Sequence, residues 1–185
     1  MPPKKRINRE DIISVAFQLI KSEGIESLNA RNLAKRLGCS TQPVFSEFKT
    51  MKELKEEVFE QAGYYFLEYL ERATLPHNQL YSFGLAFIDF VHKERNFYHL
   101  IFMTGALNDI NILEVCKANY NLVTNLAKQY GLSFKNTEKM FIQFLLYLQG
   151  IASVLYANEE AFQTEEIKEY VKDACKAFLG VYKEK

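Results

Sequence analysis

The chain has 185 residues, 48% hydrophobic and 25% charged, with 23 basic and 23 acidic side chains in balance. This is a globular composition, able to bury a core in one domain or two small ones. Eight Gly and four Pro leave few turns, and three widely spaced cysteines (Cys39, Cys116, Cys175) with no CxxC pair favour reduced thiols in the cytoplasm over a disulfide framework.

The charge is unevenly spread. Residues 1–50 carry nine Lys/Arg against five Asp/Glu, and the remainder carries 14 against 18. A basic front on an acidic body suits an anionic partner for the first part. After MPPKKR no apolar run precedes Asn8, Arg9, Glu10 and Asp11, so the opening does not read as a signal peptide.

In chain order, a first helix is expected over about Arg9 to Glu23. Asn8 caps it, Glu10 and Asp11 favour its positive end, and Ile12, Ile13, Ala16, Phe17, Leu19 and Ile20 form its apolar stripe. Gly24 stops it. A second helix runs from about Ala30 to Leu37, capped by Asn29 and ended by Gly38. After the turn Gly38-Cys39-Ser40, with Ser40 as the expected cap, a third short helix covers about Thr41 to Phe48. Pro43 is tolerated there because first-turn amides have no internal partner. A fourth helix starts behind Thr50 as a capping box with Glu53 and runs to about Arg72.

Beyond the break Leu75-Pro76-His77-Asn78, helices are expected over about 79–93, 96–103, 109–130, 136–157 and 164–183, with breaks at Asn96, Gly105 with Asn108, Gly131 with Ser133, and 158–164. No strand alternation competes, so the fold class is all-α, with about nine helices. The apolar run 141–157 is shorter than a membrane span needs and contains Gln143, Gln149 and Ser153, so it reads as a buried helix and no membrane partner is expected.

Two helices joined by a three-residue glycine turn follow the helix-turn-helix plan. At 100° per residue, Val44 and Phe48 share the core side of the third helix, and Gln42 and Ser46 lie opposite, flanked by Phe45 and Lys49. An amide, a hydroxyl, an aromatic edge and a cation can grip double-stranded DNA. Ser40 and Thr41 at the helix start, Arg31, Lys49 and the basic tail Lys4-Lys5-Arg6 add phosphate contacts.

The stretch GIESLNARNLAKRLGCSTQPVFSEFKTMKEL, residues 24–54, carries a resemblance. Residues 9–55 resemble the DNA-binding domain of the tetracycline-repressor (TetR) family of transcription regulators, through Gly24, Leu33-Ala34, Gly38, Ser40, Phe45-x-x-Phe48, Lys49 and Glu53-Leu54. The resemblance implies a homodimer of nine-helix subunits. It implies a DNA-binding domain over 1–50, with contacts from Arg31, Thr41, Gln42, Phe45, Ser46 and Lys49, and an effector-binding and dimerising domain over 51–185. Phe45 stands where the family usually has a phosphate-bonding Tyr, and Pro43 where it often has Ser or Thr, so two phosphate contacts are lost.

In the body, a helix apolar on nearly every side must be covered on every side. Phe144, Leu148, Ala152 and Leu155, with Val171, Ala174 and Phe178 of the last helix, are therefore expected to form a four-helix dimer interface with a second copy. The aromatic-rich middle mainly reads as core. Tyr65, Tyr69, Phe87, Phe102, Met103 and Tyr147 are the expected lining for an aromatic or lipophilic small-molecule effector. His77, His92 and His99 have no metal-ligand spacing, and no GxSxG, GxxxxGK[ST] or GxGxxG occurs, so no metal, cofactor or enzymatic activity is expected. The expected function is a cytoplasmic, ligand-responsive transcription regulator, more often a repressor. Two rival readings are a docking module or coactivator, and a soluble ligand carrier.

Overall fold

Asn8 sets the first element. Its Oδ1 accepts from the Asp11 amide at 2.8 Å, and the Asp11 carboxylate accepts from the Asn8 amide at 3.2 Å, closing the reciprocal box that starts helix α1, Arg9–Glu23. In the computed structural model, residues 7–104 and 117–183 are described, and the expectations for Lys4, Lys5, Arg6, Gly105, Asn108 and Cys116 lie outside them. Among the described residues there are nine α-helices and no strand.

Helix α2 is Ala30–Leu37, entered through a 3-10 turn over Ile25–Ser27 and capped by Asn29, which accepts from the Asn32 amide at 3.0 Å. Gly38 ends it at φ 65°, a left-handed conformation that lets the Cys39 amide reach back to the Ala34 carbonyl at 3.0 Å. Helix α3 is Gln42–Glu47, shorter by a residue at each end than the sequence suggests. Thr41, not Ser40, holds the cap position, with a helical backbone and no side-chain cap bond. Pro43 thus falls at the second position, where an amide is dispensable. Phe48 leaves the helix with an extended backbone (φ −126°, ψ 123°).

Helix α4 is Met51–Ala73. The Glu53 amide donates to Thr50 Oγ1 at 3.2 Å, as the box predicts, but the Glu53 carboxylate accepts from the Lys49 amide at 2.9 Å, one residue further back than expected. The remaining helices are α5 (Gln79–Lys93), α6 (Arg95–Tyr98, continued by a π-helical turn over His99–Met103), α7 (Tyr120–Tyr130), α8 (Phe134–Ala157) and α9 (Thr164–Lys183). Two boundaries move. The break expected at Asn96 occurs at Glu94, so Asn96 lies inside α6, and Ser133 caps α8 two residues earlier than expected by accepting from the Asn136 amide at 3.2 Å.

The chain folds as two compact units. The described parts of Met1–Tyr65 and Asn96–Leu107 form one, and the described parts of Phe66–Arg95 and Asn108–Lys185 form the other. The first has a core of Ile12, Ala16, Leu19, Ile20, Leu33, Val44, Phe48, Leu54 and Val58, drawn from α1 to α4. α6 joins it through the Asn96 amide group, which donates to the Lys21 carbonyl at 2.9 Å, and through Phe97, whose ring lies 4.5 Å from Phe17 and 5.5 Å from Tyr65.

In the second unit α8 packs on α5, α7 and α9. Its buried face carries Met140, Phe141, Phe144, Leu145, Leu148, Ile151, Ala152 and Leu155. By length and composition alone (mean hydropathy 1.6) α8 could cross a membrane, but it is a partly buried core helix. Gly84 of α5 permits the closest approach. A Cβ there would lie 2.7 Å from Val171 Cγ1 and 2.8 Å from Phe144 Cζ.

A candidate nucleic-acid interface

Helix α3 has two faces of opposite character. Val44 and Phe48 are fully buried, and Gln42, Ser46, Phe45 and Lys49 are exposed, Phe45 by 49%. Burial of the two apolar residues fixes which way the polar ones point. The Ser46 hydroxyl donates back to the Gln42 carbonyl at 2.9 Å, which leaves its oxygen to accept from an outside donor. Ser40 and Arg31 are exposed and Thr41 is half-buried. The seven residues expected to meet DNA thus lie on α2, α3 and the segments flanking α3, all within the first unit. A cleft of about 1140 Å³ borders α3, lined by Asp11, Ser14, Arg36, Cys39, Gln42 and Ser46 among others.

Sequence reading missed the residue that ties this face together. The Arg9 guanidinium bonds the Glu47 carbonyl, Glu53 Oε1 at 2.9 Å and the Glu57 carboxylate, and it lies 3.9 Å over the Phe48 ring. The bond from Arg9, and next that from the Lys49 amide, hold the Glu53 carboxyl below its usual range. Arg9 opens the helix that carries Glu10 and Asp11, and only the folded chain brings it to residues 38 to 48 positions away.

The residues expected at an effector site are divided between the units. In the first, Tyr65 packs edge-on against Phe17 and tilted against Phe97, with its hydroxyl accepting from Lys21 Nζ at 3.2 Å, Phe102 packs on Tyr98 with ring centroids 5.1 Å apart, and Met103 is exposed. In the second, Phe87 is buried against Phe66, and Tyr147 is exposed beside Phe178. The Tyr69 hydroxyl donates to Asp89 Oδ2 at 2.6 Å. Burial opposes the charge on Asp89, but the bonds from Lys93 and Tyr69 outweigh it and hold the carboxyl below its ordinary value.

Asp89 also faces a cleft of about 570 Å³ between the end of α4, α5 and the start of α9. It is lined by Leu85, Ala86, Ile88 and Ile167 together with Asp89, His92, Lys93 and Lys168, among others. Of the six expected residues only Tyr69 touches this site, through Asp89.

The residues expected at a dimer interface are covered by the chain itself. Phe144, Leu148, Ala152, Leu155 and Val171 are fully buried within the second unit, Ala174 is 7% exposed and Phe178 is half-buried. The large apolar residues of α8 and α9 that stay in solvent are others: Phe134, Leu146, Tyr147 and Val154 on α8, Tyr170 and Val181 on α9. The Tyr147 hydroxyl reaches the Tyr170 carbonyl at 3.5 Å, so the two stripes adjoin. The face expected to meet a second copy is instead the one that α8 and α9 turn toward each other and toward α5. Cys175 is buried, which pushes its thiol up to about 12, and no metal-holding group of His, Cys, Asp or Glu occurs among the described residues.

This architecture has known counterparts. A tetR-family transcriptional regulator from Streptomyces coelicolor superposes with a TM-score of 0.71 at 16% identity, covering 94% of this chain and 83% of that one. A protein of unknown function from Rhodococcus sp. RHA1 superposes at 0.71 with 19% identity over 98% and 99%. A TetR variant from Acinetobacter baumannii AYE, in complex with minocycline, superposes at 0.60 with 14% identity over 96% and 97%. No protein-family model and no curated protein sequence matches the chain. The chain therefore has the fold shared by TetR-family transcriptional regulators, at low sequence identity.

Proposed function

We propose that this protein is a ligand-responsive, DNA-binding transcription regulator that acts as a cytoplasmic homodimer, most simply as a repressor. The observation that carries the reading is the orientation of α3: Gln42 and Ser46 face solvent because Val44 and Phe48 are buried behind them. A Gln side chain can take two hydrogen bonds on an adenine edge, and Phe45 can meet a thymine methyl. Arg31, Ser40, Thr41 and Lys49 serve the phosphates.

The second copy docks on the solvent-facing stripe of α8 and α9. Leu146, Tyr147, Gly150 and Val154 recur at helical spacing on one, and Tyr170, Ala177 and Val181 on the other. Covering this area gains roughly 25 cal/mol per Å². The minocycline complex of the Acinetobacter relative supports a small-molecule effector for this chain too. The 570 Å³ cleft, lined by apolar side chains with a few charged and polar groups among them, suits one of apolar body.

Docking to a protein is the competing reading, favoured by the half-exposed apolar Phe45. Binding to duplex DNA over a range of salt separates them. Specific binding is expected to weaken steeply as salt rises, because phosphate contacts release counterions. Gln42→Ala is expected to change base preference, and Lys49→Ala to weaken all sequences alike and lower the salt slope by about one. If Gln42→Ala leaves both affinity and preference untouched, α3 does not read bases.

A further inference from the structure

Arg9 joins three elements of the first unit. Its guanidinium donates to the carbonyl of Glu47, the last residue of α3, to Glu53 Oε1 at 2.9 Å, and to both oxygens of Glu57, in the first two turns of α4. Its face rests on the Phe48 ring, 3.9 Å from the centroid, and Glu53 in turn accepts from the Lys49 amide at 2.9 Å. The start of α1, the end of α3, the α3–α4 connection and the start of α4 thus meet on one side chain.

α3 needs such a tie. It has six residues, and its only buried side chain is Val44, with Phe48 just beyond its end. Two apolar anchors four residues apart hold the helix down but leave its tilt about that line weakly fixed. The carbonyls at a helix end lack internal partners and favour a cation, and Arg9 supplies donor and charge together at Glu47. Ion pairs this exposed, with 35% of the Arg9 side chain and 36% of each glutamate accessible, contribute little stability on their own. The planar fork matters more, because its donors sit on three separate nitrogens in one plane that also lies over Phe48, whereas an ammonium gathers its three donors on a single rotating nitrogen.

We propose that Arg9 is a positioning residue for base recognition: it sets the angle of α3 against α4, and with it the alignment of Gln42 and Ser46 on base edges. The proposal rests on the DNA-reading function above. Lysine at this site keeps the charge and loses the fork, so Arg9→Lys separates geometry from electrostatics. Glu57→Gln, which removes one acceptor's charge and leaves α1 intact, is the second variant.

The experiment measures each protein's affinity for the wild type's preferred duplex and for a random duplex of equal length, with salt slopes and thermal midpoints. Arg9→Lys is expected to lose roughly tenfold on the preferred site, the scale of one misaligned base contact, with random-duplex affinity and salt slope held. Glu57→Gln is expected to change in the same direction, and it decides the matter if Arg9→Lys fails to fold. An unchanged ratio of preferred to random affinity in the folded variants overturns the proposal, as does a parallel fall in both. If the wild type itself prefers no sequence, the base-reading function fails first, and positioning fails with it.

Discussion

At the scale of single residues, some contacts can be read along the chain and others only across it. Asn8, Asn29, Gly38 and Thr50 act within three or four residues, and their caps and turns follow from local chemistry. Gln42 and Ser46 were legible because 100° steps from Val44 and Phe48 place them opposite. Arg9 was not, because its partners lie 38 to 48 residues away. Gly84 was not, because its role is to be absent of side chain where Phe144 and Val171 close in. Gly84→Ala is expected to destabilise the protein by about 1–3 kcal/mol through overpacking. Gly180, whose added Cβ would meet nothing within 4 Å, is the control, and Gly180→Ala is expected to be neutral or slightly stabilising. Equilibrium denaturant unfolding of both variants reads the difference, and equal midpoints would contradict the close approach.

At the scale of elements, periodicity located helices well and covering partners poorly. The bounds of α1, α2, α5 and α9 coincide with the reading from the sequence, because α1 and α2 carry an Asn cap and a Gly stop, α9 a clear apolar stripe, and α5 follows the break at Pro76 to Asn78. α3 came out shorter because Phe48 is drawn into the core on an extended backbone. For α8 the sequence shows that nearly every side is apolar, yet it holds no information on which side meets α5 and α9. Packing within the chain took Phe144, Leu148, Ala152 and Leu155, and left Leu146, Tyr147 and Val154 outside. If the outer stripe is the dimer face, Val154→Arg is expected to yield a folded monomer, with helix content and unfolding cooperativity retained. Sedimentation at several concentrations measures it, and a Val154→Arg protein that sediments as the wild type does would exclude that face.

At the scale of the whole molecule, the basic first 50 residues and the acidic remainder fit a chain whose front meets an anion. The aromatic content of the body was legible, but its use was not. Tyr65 packs with Phe17 and Phe97, and Tyr69 holds Asp89 in the lining of a cleft that the spacing of aromatic residues did not reveal. A cleft is made by what neighbouring helices leave unfilled, and no single helix pattern records it.

The central claim is that two copies of α3 read duplex DNA together, and selection of bound sites from a random duplex pool tests it most directly. The account predicts an inverted pair of short half-sites, their centres separated by about one helical turn, 34–36 Å, or a multiple of it. Recovery of no enriched sequence, or of a single unrepeated motif, would contradict it.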